Sequence, residues 1–325
     1  MERDLLTSVT APIQSELDGF NNYFNSLFDT DDDSVRPLLE VLGNQRGKML
    51  RPILVLLTAK YFGVSSDRIF HLASSVELLH TSTLIHDDVV DNSMLRRGNS
   101  SFNSLFDNKM SVLFGDYVLA MALRELSSVG VIENFSILSE LSKNLSSGEI
   151  FQLVVRNSDV LSEDSYFDII YRKTACLFSS CCRMTAITCG ADPKQADTFA
   201  EFGRLAGICF QIKDDIFDYF SSSDTGKPSG NDLQEGKFTL PAIFALNTSD
   251  RDWSSYIKSV RSCSADESMR REITEYTVEN GGVQYAEERM REISASAMRS
   301  LPSDMSSDLR IAFRDYVSLI LNRTR

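Results

Sequence analysis

Two aspartate clusters in this chain share the spacing i, i+1, i+4. The first contains Asp87, Asp88 and Asp91 in LIHDDVVD, and the second contains Asp214, Asp215 and Asp218 in QIKDDIFDY. On a helix, carboxylates at i and i+4 project from one face, where they repel one another unless a cation lies between them. Because only oxygen ligands are available, this spacing predicts a hard divalent cation, for which magnesium is the natural choice.

Magnesium usually takes one or two carboxylates and completes its coordination with water and phosphate oxygens, so the clusters predict a phosphorylated ligand between them. A single cluster in an acidic chain could equally be a solvated helix end, but this chain has two, each beside an apolar stripe. Zinc is the alternative suggested by His86. However, His71, His80 and His86 form no HxxxH pair.

Basic residues near these motifs could neutralise a diphosphate. They are Lys48 and Arg51 in RGKMLRP, Arg96 and Arg97 in MLRRG, and the more distant Lys173, Lys227 and Lys237. Each alone could be an ordinary surface residue. Together they outline a basic rim suited to charge-assisted hydrogen bonds with phosphate oxygens.

The elements that position these residues are expected to be long helices. Apolar residues recur at three-to-four spacing with only 7 prolines and 16 glycines, which predicts an all-α protein. One stripe ends at Asp87 and a second ends near Phe217, and Gly203 and Gly207 in the second should let a neighbouring helix approach. Further helices are expected over about 110–128, 132–156 and 164–190, and the polar segment 221–235 is a candidate lid.

Composition narrows the class of protein. The net charge of −13 argues against a nucleic-acid binder, and 42% hydrophobic with 24% charged residues is typical of a folded globular chain. We expect one domain over residues 1–325, a single large helical bundle. No segment is apolar over the roughly 20 residues that a bilayer needs. We also expect no signal peptide, reduced cysteines in the core, and a cytoplasmic location.

The ordered motifs resemble the trans-polyprenyl diphosphate synthase family. They are GKMLRP, LLHTSTLIHDDVVDNSMLRRG, YRKTA, FQIKDDIFDY and TGKPSGNDLQEGKFTLP, which together cover about residues 40–245. The resemblance implies the isoprenoid synthase fold, which is a helical bundle around a central cavity, and, usually, a homodimer. It implies an enzyme that elongates an allylic diphosphate, such as farnesyl or geranyl diphosphate, with isopentenyl diphosphate.

The resemblance also implies residue roles. Asp87, Asp91 and Asp214 would bind magnesium bridged to the allylic diphosphate, with Asp88, Asp215 and Asp218 in support. Arg96, Lys173 and Lys227 would hold that diphosphate, and Lys48, Arg51, His80 and Arg97 would form the isopentenyl diphosphate pocket. Thr174 and Gln211 would stabilise the carbocation, and Lys237 would belong to a closing loop.

Residues preceding the first cluster bear on product length. Ser82 and Thr83 are small where short-chain relatives carry bulky aromatics, and Leu79 and Val76 below them are of moderate size. An open tunnel and a long product of the kind used for quinone side chains are therefore expected, with peripheral membrane contact for product release. If the small size of Ser82 and Thr83 only serves helix packing, the alternative is a shorter geranylgeranyl product.

Two other functions remain as alternatives. A terpene cyclase also uses a DDxxD helix, but its second metal motif is normally built from Asn, Ser and Glu. A non-catalytic subunit of a heteromeric synthase usually lacks the aspartates that this chain retains.

Overall fold

The computed structural model describes residues 2–44, 47–96, 99–220 and 230–323, which are almost entirely helical and form the isoprenoid synthase fold, as expected. The α-helices are α1 Glu2–Thr10, α2 Gln14–Ser26, α3 Arg36–Asn44, α4 Leu50–Tyr61, α5 Asp67–Val90, α6 Phe102–Phe106, α7 Asn108–Val129, α8 Ile132–Val155, α9 Glu163–Ile170, α10 Cys176–Thr188, α11 Pro193–Phe217, α12 Asn231–Gln234, α13 Leu240–Asn247, α14 Ser254–Arg261, α15 Glu267–Glu279, α16 Gly282–Ser300 and α17 Ser307–Asn322. A 3₁₀ helix, Ala11–Ile13, joins α1 to α2, and a π-helix, Tyr171–Ala175, joins α9 to α10. Strands β1 Leu95–Arg96 and β2 Asn99–Ser100 form a short antiparallel hairpin.

Long helices pack side by side to make the core. Helix α5 packs along α7, and α11 lies between α10 and α16. Apolar side chains of α5, such as Leu72 and Val76, are fully buried. The Ser75 hydroxyl donates a hydrogen bond to the Ala122 carbonyl of α7 at 2.8 Å. Helices α4 and α5 are buried on most of their faces, as is typical of helices at the centre of a large bundle.

Glycines on α11 permit its close contact with α10, as the sequence predicts. A Cβ at Gly203 would lie 2.4 Å from the Phe178 carbonyl oxygen, and one at Gly207 would lie 2.6 Å from the Ala175 Cα. Neither contact is sterically possible without moving the helices apart. This packing fixes where the C-terminal end of α11 lies.

The predicted helix ends are confirmed in two places. Gly130, with a φ of 71°, ends α7 in the left-handed conformation. Asp192 and Gln195 form a capping box that starts α11, with Pro193 in the first turn.

The prediction of one helix over 164–190 is wrong in detail. A π-helical turn, Tyr171–Ala175, interrupts it between α9 and α10. Such turns insert an extra residue into a helix and are frequent at functional sites. Here the turn carries Lys173 and Thr174, two of the predicted site residues.

The candidate lid lies largely outside the described residues, which omit 221–229. Its described part includes α12 Asn231–Gln234, which follows Gly230 in the left-handed conformation. In the same described part of the chain, no helix is long and apolar enough to cross a membrane.

The cysteines are free thiols. Cys176, Cys181, Cys182 and Cys209 are buried, as expected for core thiols, whereas Cys189 is half-buried and Cys263 is exposed.

Candidate active site

The first aspartate cluster ends α5. Asp87 and Asp88 are in its last turn, and Asp91 is its C-cap. The C-terminus of a helix carries partial negative charge, so three carboxylates there favour a cation. Burial and the nearby Glu149 carboxylate raise the pKa of Asp87 to about 6. Burial also raises the pKa of Asp91. These acids are therefore arranged to accept positive charge.

Asp88 has a different partner from the other two aspartates. Its side chain is buried, and the Arg96 guanidinium donates from Nε to its two carboxylate oxygens at 2.8 and 2.9 Å. Arg96 Nη2 also lies 2.7 Å from Asp88 Oδ1. The hairpin that follows α5 positions Arg96 for this bidentate contact. Asp88 thus orients Arg96, a pairing that the sequence pattern did not predict.

The second cluster ends α11, with Asp214 and Asp215 in the last turn and Asp218 as C-cap. Asp215 is buried and accepts hydrogen bonds from Tyr166 Oη at 2.6 Å and Gln211 Nε2 at 2.9 Å. Burial raises the pKa of Asp215 to about 7, while these two hydrogen bonds lower it. The carboxylate is therefore held in one orientation.

The predicted carbocation-stabilising residues lie together. The Thr174 hydroxyl of the π-helix donates to Gln211 Oε1 at 2.6 Å, and this bond directs Gln211 Nε2 towards Asp215. One hydrogen-bonded chain therefore links Thr174, Gln211, Asp215 and Tyr166.

Asp218 anchors the segment that follows the cluster. Its carboxylate accepts the backbone N–H groups of Asn231 and Asp232 at 3.1 and 3.0 Å. Its carbonyl accepts the N–H of Gly230 at 3.0 Å. Asp218 therefore acts as the N-terminal anchor of α12.

Asp214 contacts the end of the chain. Its carboxylate pairs with Arg323, whose guanidinium lies 3.9 Å from the centroid of the Phe210 ring and donates to the Phe210 carbonyl at 2.9 Å. For Asp214 to bind a metal, as the resemblance implies, this guanidinium has to move. The sequence pattern gave no signal for the pairing because 109 residues (323 − 214) separate the partners.

Lys173 is held by α8. Its ammonium lies 2.5 Å from Glu149 Oε1 and donates to Gln152 Oε1 at 3.1 Å. Gly148 allows this contact, since a Cβ there would lie 3.1 Å from Lys173 Cγ. Glu149 and Gln152 were not predicted as site residues, although polar residues three apart in the apolar run GEIFQLVV were a signal for them.

A cavity of about 350 Å³ joins the two clusters. Its lining contains Asp91 of the first cluster, Asp215 of the second, and the predicted cations Lys173 and Lys237. Apolar side chains complete the wall, among them Val90, Leu153, Ile169, Ile170, Phe238 and Ile243. The cavity thus places carboxylates of both motifs, two ammonium groups and apolar surface around one space.

Lys237 is also in this lining, in the segment after α12. Burial lowers its pKa, but the carboxylates of Glu235, with which it pairs, and of Asp232 and Asp91 together raise it above its usual value. Burial and the nearby Asp215 carboxylate raise the pKa of Asp232 well above its usual range. Two acidic groups, Asp232 and Glu235, therefore lie near the Lys237 ammonium on this wall.

A second cavity, of about 230 Å³, is lined by a different set of residues, several of them on α5. His80 and Arg96 line it, as do Asp88, Glu77 and Thr81. Arg96 therefore lines the second cavity, whereas Lys173 lines the first cavity and Arg96 does not.

The other cations predicted for isopentenyl diphosphate lie near the second cavity or apart from it. Lys48 lies between two of its lining residues, Gly47 and Met49. Arg51 is 8% exposed, and its guanidinium lies 4.9 Å from the centroid of the Phe178 ring, outside the lining. Arg97 lies outside the described residues, as does Lys227, which was predicted to hold the allylic diphosphate.

Several of the residues predicted to set product length take part in helix packing. Ser82 is 2% exposed and donates its hydroxyl to the Gly115 carbonyl of α7 at 2.8 Å. Thr83 is half-buried and donates to the His80 carbonyl at 2.8 Å. Leu79 and Val76 are buried in the core. None of the four residues is in the lining of either cavity. The small size of Ser82 is therefore explained by its contact with α7.

The oxygen donors of the first aspartate cluster fit magnesium by their chemistry. Asp87 and Asp91 supply carboxylate oxygens, and burial, with the Glu149 carboxylate as a smaller cause, raises the pKa of both. Within ranges 2–44, 47–96, 99–220 and 230–323, no three acidic, histidine or cysteine side chains converge to form a complete metal site.

Comparison with known proteins agrees with this geometry. The family model described as polyprenyl synthetase matches residues 33–277. The octaprenyl diphosphate synthase of Escherichia coli is 32% identical over 256 residues, which cover 78% of this chain and 79% of the relative. A solved polyprenyl synthase from Caulobacter crescentus, in complex with calcium and isoprenyl diphosphate, is 28% identical and has a TM-score of 0.89, with 98% of each chain covered. A solved geranylgeranyl pyrophosphate synthase from Bacteroides thetaiotaomicron is 37% identical, with a TM-score of 0.85 over 98% of this chain and 100% of that one.

An all-helical bundle with paired aspartate clusters on one cavity defines a trans-prenyltransferase, the class of enzyme that the motifs predicted. The chain belongs to the polyprenyl synthetase family.

Proposed function

We propose that this enzyme is a magnesium-dependent synthase that condenses an allylic diphosphate with isopentenyl diphosphate into a long all-trans polyprenyl diphosphate. The observation that carries the proposal is the cavity in which Asp91, Asp215, Lys173 and Lys237 share one apolar-walled space. Cations and acids there suit a metal-bound diphosphate, and the apolar wall suits a hydrocarbon chain.

Magnesium, when bound by Asp87 and Asp91, would neutralise the diphosphate. Lys173 and Lys237 would donate to its oxygens, since Glu149 and Glu235 already orient their ammonium groups. An ammonium group has three N–H donors, so each lysine can bind a phosphate oxygen in addition to its glutamate. This placement favours departure of the diphosphate with the electron pair of the broken C–O bond.

The second substrate would supply the attacking double bond. The cavity lined by His80 and Arg96 lies beside Asp88 and supports binding of isopentenyl diphosphate there. Attack on the allylic carbon forms the new C–C bond, and a proton is then lost, for which the departing diphosphate is the base we propose. The oxygen atoms of Thr174 and Gln211 would stabilise the intervening positive charge through their dipoles.

Product length rests on the relatives more than on the two cavities. Similarity to the octaprenyl diphosphate synthase of Escherichia coli supports a long product for this chain. The geranylgeranyl pyrophosphate synthase of Bacteroides thetaiotaomicron, together with the packing role of Ser82, favours the shorter alternative. If the product is long, we propose that it supplies quinone side chains and that the enzyme contacts a membrane peripherally to release it.

Product analysis tests the proposal. The protein would be incubated with isopentenyl diphosphate, magnesium and either farnesyl or geranyl diphosphate, with and without chelator, and the dephosphorylated products analysed by mass. We expect a chelator-sensitive ladder that ends beyond geranylgeraniol. A ladder that stops at geranylgeraniol selects the shorter candidate, and no condensation with either primer refutes the function.

A variant at Thr83 separates the candidates further. Thr83 lies one helical turn before Asp87, so Thr83→Phe would project a ring below the first cluster. A shorter ladder from Thr83→Phe, with Thr83→Val unchanged, would identify this turn as part of the chain path. Equal ladders from all three proteins would contradict that role.

We further propose a homodimer in the cytoplasm. Large apolar side chains are exposed on α7 and α8, among them Val112 (41%), Leu113 (56%), Leu123 (44%), Ile150 (63%) and Val154 (61%). A second copy is the occupant that the family resemblance supports for this surface. The buried free thiols support a reducing compartment. Leu113→Lys should shift the mass measured by light scattering from dimer to monomer, and a wild-type monomer would refute the proposal.

A further inference from the structure

Two arginines lie together in the lining of the catalytic cavity. Arg156 follows the last residue of α8, and Arg261 is the last residue of α14. Arg156 Nε donates to the Arg261 carbonyl oxygen at 2.9 Å. Arg156 also packs against Gly236, where an added Cβ would lie 3.1 Å from Arg156 Cδ. The pair is therefore anchored beside Lys237, the next residue along the chain.

Neither guanidinium has a carboxylate partner among the described residues. Arg261 Nε is buried and has no hydrogen-bond partner in that part of the chain. The nearby acid Asp159 pairs with Lys258 at 3.5 Å. Burial, and then the positive charge of Arg156, lower the pKa of Arg261. Two like charges therefore lie close together, and the nearby Asp159 carboxylate offsets them only in part.

A purely structural role explains only part of this arrangement. The bond from Arg156 to the Arg261 carbonyl ties α8 to α14, but it uses only the Nε–H of Arg156. The Arg261 guanidinium lies over the Phe238 ring, 5.3 Å from its centroid, and this contact uses its face and leaves its buried Nε–H without a hydrogen-bond partner among the described residues. Unpaired guanidiniums at a cavity wall match the bidentate recognition of phosphate oxygens.

We propose that Arg156 and Arg261 form an additional diphosphate subsite at the edge of the cavity, separate from the aspartate-bound position. The inference rests on the proposed function for its ligand, a diphosphate group. That group could come from the allylic substrate as it arrives or from inorganic diphosphate as it leaves. Because guanidiniums bind phosphate directly, this subsite needs no metal.

Cys263 provides a direct probe, because its exposed thiol lines the same cavity two residues after Arg261. The alkylation rate of Cys263 by iodoacetamide would be measured by peptide mass spectrometry in EDTA, with and without inorganic diphosphate. Cys189, half-buried and absent from the cavity lining, serves as the internal reference. We expect diphosphate to slow alkylation of Cys263 several-fold while leaving Cys189 unchanged.

Arg261→Gln is the decisive variant, since it removes the charge but keeps the backbone carbonyl that accepts from Arg156. Protection should be lost in Arg261→Gln and largely kept in Arg261→Lys. Arg299→Gln, which removes an exposed charge from α16 outside the cavity lining, should behave as wild type. Absence of protection in the wild type, or equal protection in Arg261→Gln, would overturn the subsite.

Kinetics distinguish the two sources of the group. A rise in KM for the allylic diphosphate in Arg261→Gln, of about five- to tenfold, would assign the subsite to the arriving substrate. A similar rise in the inhibition constant of inorganic diphosphate would assign it to the leaving product. If both constants match those of Arg299→Gln, the subsite has no part in the reaction and the inference fails. Failure of the wild type to condense any substrate would instead refute the proposed function, and the alkylation result would still decide the subsite.

Discussion

Asp87→Asn is expected to stabilise the protein in chelator while removing most of its activity. The pKa of Asp87 is raised from 3.8 to about 6, chiefly by burial and then by Glu149. The folded state therefore holds this proton more tightly than the unfolded state. Its contribution to stability is fully present below about pH 3.8 and is lost as the pH rises through about 6. At neutral pH the ionised carboxylate of Asp87 lowers the free energy of unfolding, and asparagine, which carries no charge, removes this effect.

The magnitude follows from the size of the shift. A difference of about two pKa units corresponds to at most about 3 kcal/mol. Asp87 is partly exposed, so solvent screening reduces this to on the order of 1–2 kcal/mol. For a chain of this length, such a change raises the melting temperature by roughly 2–3 °C.

The assay is thermal unfolding in EDTA between pH 4 and pH 8 at one fixed protein concentration, because a dimer would melt in a concentration-dependent manner. The variant should exceed wild type above pH 6, and the difference should disappear near pH 4. Asp29→Asn, at an exposed position outside both cavities, is the matched control and should show no such pH dependence. In magnesium with an allylic diphosphate, ligand binding should reverse the order, and turnover of the variant should fall roughly 100- to 1,000-fold.

Two results would refute this reasoning. If Asp87→Asn melts below wild type at pH 7.5 in EDTA, the carboxylate is not a destabilising charge. If its turnover is close to that of wild type, Asp87 has no part in binding the metal.

Two further predictions concern packing and the second cluster. Gly203→Ala should lower the free energy of unfolding by about 1–3 kcal/mol, because its Cβ would lie 2.4 Å from the Phe178 carbonyl oxygen. The control is Gly43→Ala, whose Cβ would meet no atom within 4 Å and which should not destabilise the protein. Equal melting temperatures for the two variants would contradict the packing argument. Tyr166→Phe removes a hydrogen bond that lowers the pKa of Asp215, which is about 7 in the wild type. The acid limb of the pH profile of kcat/KM should therefore move up by roughly one pH unit when free magnesium is held constant. An unchanged acid limb would show that Asp215 does not control it.

The sequence by itself determined the fold class and the chemistry of the site. Helical periodicity is a local property, so the stripes that end at Asp87 and near Phe217 could be read without the structure. The aspartate spacing is likewise fixed by the chain, and it indicates a divalent cation whatever surrounds it. Gly203 and Gly207 could be assigned to a close helix contact because small residues on one face allow little else.

Tertiary structure alone decided which partner each polar side chain meets. Helical periodicity fixes the face on which Ser82 lies but not the helix opposite that face, and the opposite helix proved to be α7. The pairing of Asp214 with Arg323 and the contact of Arg156 with Arg261 join residues more than 100 positions apart. Such contacts depend on how helices cross in space, and that is set by the packing of the whole core and not by any local pattern.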